Sequence, residues 1–262
     1  MMGISIAGFD PSGGAGIIAD MKIFAALGIH GTSAITALTT QNPNKVFSLM
    51  PIDINYIKEQ IDSIFDAYSE YINYGKTGML YSKEIIKAVA KKVKEYDINI
   101  VIDPVMVASA GGSLLEEKNE IEQVKEEISK ALKKYLLPQC LIVTPNISEA
   151  EILSNIEINN EEDAMEAACQ IGKISNVIIT GGHLNGINTI FNKKTNQIKT
   201  IKKTLFETKN VHGSGCSFSA ALTGYMIKKS DLNISIEKSL DFIENSIKNG
   251  EYGTLKQTYT FD

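Results

Sequence analysis

The sequence is poor in several features, and each shortage removes a class of protein. Three cysteines in 262 residues, Cys140, Cys169 and Cys216, are too few and too scattered for a disulfide framework or a structural zinc site. There is no long apolar span, and no apolar segment with a cleavage site at the N-terminus, so a soluble, cytoplasmic protein is expected. There is no long basic run, and the net charge is −5, which leaves no electrostatic footprint for nucleic acid or an anionic membrane. The lysines of KAVAKKVKEYD and ISKALKKY stand among apolar residues at helical spacing and read as solvated helix faces. No repeat, low-complexity tract or linker divides the chain, so one domain over residues 1–262 is expected. Neither GxxxxGK[ST] nor a GxGxxG after the first strand occurs, which excludes a P-loop enzyme and a dinucleotide site.

Hydrophobic residues make up 44% and charged residues 22%, an ordinary globular composition. MGISIAG predicts a strand, IIADMKIFAALG a helix, TSAITALTT and VFSLMPI two further strands, and DINYIKEQIDSIFDAY a helix starting at Asp53. YINYGKTGML, a helix over 82–96, INIVIDPVM, a helix over 117–134, CLIVTPN and the helical SEAEILSN continue the alternation. Repeated strand-helix units predict an α/β fold with a mainly parallel central sheet and helices on both faces. NVIIT, INTIFN and QIKTIKKTL, separated by turns, predict antiparallel strands at the sheet edge. A helix to about Lys229 and another from about Ser235 to Asn249 close the chain. Cys140 and Cys169 both read as small buried hydrophobes.

The turns GFDPSGGAG, TTQNP, KTGML, DPVMVASAGG, TPNISEAE, TGGHLNG and HGSGC each follow an apolar strand. In an open parallel sheet, ligands bind outside the carboxyl ends of the strands, so these turns describe one site. In HGSGCSFSAAL, glycines feed a helix with Cys216 in its first turn. Gly213, Ser214, Gly215 and Cys216 thus offer an anion cradle, and the helix dipole there is expected to lower the thiol pKa. Two other readings stay open: glycines that only shape a turn, and a cysteine hydrolase drawing on His212. Asp103, Asn146 and Glu149 end consecutive strands and together suit Mg²⁺, whereas singly they are a turn Asp, a helix cap and a first-turn Glu. GGHL, with Gly182 and His183, is either part of an ATP site or a plain turn.

In order and spacing, GFDPSGGAGIIADMKIFAALGIHGTSAITALTTQN, KTGML, DPVMVASAGG, TPNISEAE, GGHL and HGSGCSFSAAL closely resemble the hydroxymethylpyrimidine/phosphomethylpyrimidine kinases of thiamine biosynthesis. The match runs from about Ser5 to Tyr225. The resemblance implies a ribokinase-like fold, use of ATP and Mg²⁺, and two successive phosphorylations of a small pyrimidine. It implies that Gln41, in the turn after TSAITALTT, pairs with the pyrimidine, and that Gly8, Met79, Val105 and Asp20 line its pocket. Cys216 matches a cysteine standing where related sugar kinases carry a catalytic Asp, and Asn146 and Glu149 match an element tied to Mg²⁺ and phosphate. Thr180 stands where many relatives have a lysine near the ATP phosphates, and Thr77 where they usually have Ile. The resemblance also suggests a homodimer, with TSAITALTT and VFSLMPI as its interface, and no fused thiamine-phosphate synthase. Pyridoxal kinase is the nearest rival. A sugar kinase lacks its Asp here, and a non-catalytic binding module would not need Cys216, Asn146, Glu149 and Asp103 together.

Overall fold

The computed structural model describes residues 1–106, 118–182, 184–229 and 231–257. The first elements are β1 (Met2–Phe9), α1 (Gly16–Ala26), β2 (His30–Asn42), β3 (Lys45–Pro51), α2 (Ile54–Tyr68), β4 (Ile72–Thr77), α3 (Lys83–Glu95) and β5 (Asn99–Ile102). They are followed by α4 (Lys118–Ala131), a π-helical turn, a 3₁₀ turn, β6 (Ile142–Val143), α5 (Ile147–Ser154), α6 (Glu161–Gly172) and β7 (Asn176–Ile179). The chain continues with β8 (Ile187–Asn192), β9 (Gln197–Lys202), α7 (Ser214–Ile227) and α8 (Leu232–Lys248).

Local chemistry sets most helix starts. Asp53 accepts from the Asn55 and Tyr56 N–H groups to open α2, whose Ile57, Ile61 and Phe65 repeat every four residues and are buried. Ser82 likewise accepts from the Ile85 N–H, and α3 buries Ile85, Ile86, Val89 and Val93. A central helix needs a different pattern: α7 is buried continuously from Ser217 to Ile227, as its nearly all-apolar or small composition requires.

The strands form one nine-stranded sheet in the order β3-β2-β1-β4-β5-β6-β7-β8-β9. From β2 to β7 neighbouring strands are parallel, while β3 pairs antiparallel with β2, and β8 and β9 continue antiparallel from β7. Alternate side chains feed two cores. Ile100, Ile102, Val143, Val177 and Ile179 join one with residues of α2 to α6, and Val101, Ile142 and Ile178 join the other with residues of α1, α7 and α8.

Three expectations are corrected here. NVIIT is not an antiparallel edge strand: β7 pairs parallel with β6, because α5 and α6 carry the chain back across the sheet before it. Gln41 is not in a turn but in the strand, because β2 runs on past Thr40 to pair with β3, with a register shift between Thr40 and Gln41. Cys169 is exposed, on the face of α6 away from its buried Ala164, Ala167, Ala168 and Ile171. The expected helix over 117–134 is seen as α4 followed by the π-helical turn Leu132–Leu136, and residues 107–117 lie outside the described residues.

Candidate active site

The carboxyl ends of β1, β4, β5, β6 and β7 open into a cavity of about 500 Å³. Its walls also take in the end of β2, the loop after β9, the start of α7 and one face of α8. Seven turns that the sequence places after strands therefore do meet at one sheet edge, although part of DPVMVASAGG and His183 of TGGHLNG lie outside the described residues.

At the start of α7 the N-cap is Gly213, with φ of 83° and no side-chain cap. Glycine is required there twice over, by the left-handed backbone and because a Cβ would fall 1.7 Å from the Gly14 carbonyl. The Ser214 N–H donates to the Val211 carbonyl and the Ser217 N–H to that of Gly213, which leaves the first-turn N–H groups of Gly215 and Cys216 at the cavity. A Cβ on Gly215 would meet nothing within 4 Å, so that position faces open space. The arrangement is an uncapped helix N-terminus pressed against the GFDPSGGAG turn, suited to an anion.

Asp10 ties those two loops together. Its carboxylate accepts from the Ser12 N–H at 2.8 Å, the Ser12 hydroxyl at 2.7 Å and the Ala15 N–H at 2.9 Å. The same carboxylate lies 2.8 Å from His212 Nε2. Burial opposes its charge, yet the bonds from His212, Ser12 and Ala15 win and bring its pKa down to about 2.

Beneath the cavity, fully buried Lys76 in β4 lies 2.9 Å from Asp20 and 3.9 Å from Asp103. The Ser5 hydroxyl donates to Asp20 at 2.5 Å, and that of Ser219 to Asp103 at 3.3 Å. Burial works against the Lys76 charge, but Asp20 first and then Asp103 raise its pKa and keep it an ammonium. The Cys216 thiol stands beside Asp103 and the Gly16 N–H. Burial, then the charge of Asp103, pushes the thiol pKa well up, against only partial relief from Lys76. The lowering expected from the helix dipole is thus opposed: a part-buried thiol beside a carboxylate is pushed toward its protonated form.

Asn146 and Glu149 form a reciprocal capping box at the start of α5. Asn146 Oδ1 accepts from the Glu149 N–H and Glu149 Oε2 from the Asn146 N–H, each at 3.0 Å. The structural roles weighed for these residues are therefore real. They do not exhaust the pair, because burial and the nearby charge of Asp103 push the Glu149 carboxyl up to about 8. Two mutually repelling carboxyls at a cavity invite a cation. Mg²⁺ takes one or two carboxylates and completes its shell with water and phosphate, so Asp103 and Glu149 could hold it.

Gly8, Gln41, Met79, Asp103, Val105, Asn146, Glu149, Thr180, Gly182 and the run Gly213 to Cys216 all border the cavity. Met79 lies across Gly8, where a Cβ would come 2.6 Å from its terminal methyl. Asp20 does not border the cavity: it is fully buried below the floor as the partner of Lys76. Thr77 is not a lining residue either, and its buried hydroxyl has no hydrogen-bond partner among the described residues. In the TGGHLNG turn Gly181 and Gly186 are under steric demand, since a Cβ would fall 1.8 Å from the Ile187 carbonyl and 2.2 Å from that of Lys203, whereas Gly182 faces open space. Sequence reasoning passed over Asp10 and Lys76. A lysine inside a buried strand was the available signal for Lys76, but the Asp10–His212 pair spans 202 positions and leaves no local trace.

A family model described as phosphomethylpyrimidine kinase matches residues 10–259. The chain belongs to that family. It is therefore a phosphotransferase, and its nine-stranded α/β architecture is ribokinase-like. Over 251 residues it is 36% identical to a hydroxymethylpyrimidine/phosphomethylpyrimidine kinase of Bacillus subtilis, covering 94% of this chain and 89% of the relative. It is also 34% identical to a pyridoxine kinase of that organism, covering 94% and 89%. A solved ADP complex of Bacillus subtilis pyridoxal kinase superposes with a TM-score of 0.84 at 34% identity, covering 95% of this chain and 92% of that one.

Proposed function

We propose that this chain transfers the terminal phosphoryl group of ATP to the hydroxymethyl group of 4-amino-5-hydroxymethyl-2-methylpyrimidine. It then phosphorylates the monophosphate to the diphosphate, for thiamine biosynthesis. The observation that carries the reading is that Gln41, the Gly213–Cys216 cradle and the Asp103/Glu149 pair share one cavity. Gln41 offers an amide donor and acceptor to an aminopyrimidine edge, and Gly8, Met79 and Val105 supply the apolar wall beside it. The family match and the ADP-bound neighbour support a nucleotide in the remainder of the cavity, along Asn146, Thr180 and Gly182.

Asp103 and Glu149 would hold Mg²⁺, which when bound supplies positive charge to the phosphates. The N–H groups of Gly215 and Cys216 stabilise charge on the moving phosphoryl group. For the first acceptor, a neutral hydroxyl, the base is the Cys216–Asp103 pair: the sulfur takes the hydroxyl proton as the thiol gives its own to the carboxylate. For the second acceptor, already a phosphate anion, alignment and charge dominate and the base matters less. The protein works as a single-domain cytoplasmic homodimer with no nucleic-acid partner. The β2–β3 hairpin supplies the dimer interface, since Phe47 and Met50 stand 53% and 56% exposed on its edge strand.

The test is a coupled phosphorylation assay with ATP and Mg²⁺ on the pyrimidine, its monophosphate and pyridoxal in parallel. Diphosphate formed from the pyrimidine, with pyridoxal poor, is expected. Preference for pyridoxal moves the protein to vitamin B6 salvage, in keeping with its 34% identity to a pyridoxine kinase. No turnover of any of the three refutes the kinase reading.

A further inference from the structure

We propose that Lys209 is the phosphate-engaging cation of the cavity, an inference that rests on the kinase reading above. The chain contains no arginine, and all 26 of its Lys and Arg positions are lysine. With no guanidinium available, positive side-chain charge for a phosphate here can come only from lysine or histidine, and lysine serves as a point charge without the fork of a guanidinium. Among the described residues two lysines and one histidine border the cavity: Lys203, Lys209 and His212. Two of them are engaged. Lys203 pairs with Asp241 and lies 3.7 Å from Glu244, and His212 is bound to Asp10 at 2.8 Å. Lys76, below the floor, is held by Asp20. Lys209 borders the cavity on the loop leading into the anion cradle, and among the described residues it has no ion pair and no hydrogen bond.

Its backbone, by contrast, is fixed. The neighbouring Asn210 accepts from the Gly253 N–H through Oδ1 and donates to the Gly250 carbonyl through Nδ2, each at 2.8 Å. The Asn210 N–H donates to the Thr208 hydroxyl at 3.1 Å. A long cationic side chain thus leaves an anchored loop three residues before His212, with no carboxylate among the described residues paired to it. The carboxylates of Asp10 and Glu244 already have His212 and Lys203 as partners, and the Asp103/Glu149 pair is suited to a metal. Lys209 is left to meet the ligand's negative charge.

That charge has two sources: the polyphosphate of the nucleotide, and the monoester of the once-phosphorylated pyrimidine. The experiment uses the full chain and the variants Lys209→Ala and Lys209→Arg. ADP affinity is measured by calorimetry without pyrimidine, and KM is measured separately for the neutral pyrimidine and its monophosphate. Lys209→Ala is expected to weaken at least one phosphate-bearing ligand about tenfold, as loss of one charged hydrogen bond does. KM for the neutral pyrimidine should hold, and Lys209→Arg should recover most of the loss. Weaker ADP assigns the lysine to the nucleotide, and a raised KM for the monophosphate alone assigns it to the substrate. Unchanged ADP and monophosphate binding overturns the proposal, as does an equal rise in KM for the neutral pyrimidine. A wild-type protein that binds no ADP and phosphorylates neither pyrimidine brings down the kinase reading, and Lys209 falls with it.

Discussion

At the floor of the cavity Lys76, Asp20 and Asp103 are buried and held by one another. At its rim Lys203 pairs with half-exposed Asp241, and Lys209 has no described partner. Both regions are charged, but the floor's charges leave water altogether and so must be satisfied within the protein, whereas water and ions can serve the rim. The difference separates two tasks. The floor fixes Asp103 and Cys216 for chemistry, while the rim keeps a cation available for a ligand that comes and goes.

The floor should therefore give the largest response. Lys76→Met leaves two buried carboxylates without their cation, and a loss of about 3–5 kcal/mol is expected in urea unfolding followed by circular dichroism. Adding Asp20→Asn should return part of that loss, because one orphaned charge is removed. A single variant within about 1 kcal/mol of wild type would show that water reaches the floor, and the contrast with the rim would collapse.

Next in size is Cys216→Ala, which removes the group joining the floor to the substrate. The first phosphorylation should fall about 100-fold, the lower range for loss of a general base, and the second about tenfold or less. Equal losses in the two rates would end the division of labour between a proton-transfer step and an alignment step.

Asp10 lies between floor and rim, and it tests the contrast through pH. Its folded pKa, about 2, is below the ordinary 3.8, so the stabilisation is complete above the ordinary value and is lost as pH falls from there through about 2. The two values imply about 2 kcal/mol at neutral pH. Asp10→Asn should be less stable than wild type by about that amount at neutral pH, and the gap should close on acidification toward about pH 2. A gap that does not change with pH would mean that the Asp10–His212 contact acts through shape and not through charge.

Much of this was legible in the sequence because it is local. The spacing of Ile57, Ile61 and Phe65, the caps at Asp53 and Ser82, and the glycines at the start of α7 each declare themselves within a few residues. The cavity was legible as well, since its turns follow successive apolar strands and a parallel sheet gathers them at one edge. What escaped is set by distant partners. Lys76 meets Asp20 across 56 positions, so neither the burial of Asp20 nor the upward push on the Cys216 pKa follows from its neighbours in sequence. The helix dipole expected to lower the Cys216 pKa is a local effect, and the burial and Asp103 charge that oppose it are tertiary. The extension of β2 through Gln41 likewise depends on pairing with β3, and the exposure of Cys169 on which face α6 turns to the core.

The smallest effect belongs to the rim. Lys203, 23% exposed, pairs with Asp241, 52% exposed, and with Glu244, whose carboxylate also accepts from the Thr204 N–H at 2.9 Å. Water and salt compete at every one of these atoms, so Lys203→Met should cost only about 0.5–1 kcal/mol of stability. Part of even that loss should disappear near 1 M salt, where screening shortens to about 3 Å. Asp241→Ala sharpens the point, because it removes a carboxylate without emptying the cavity of its cation. Its stability should stay close to wild type, while ADP affinity holds or rises slightly as Lys203 becomes freer. A loss of several kcal/mol in either variant would place the rim under the same constraint as the floor, and the cavity would then have no compliant side on which Lys209 could await a phosphate.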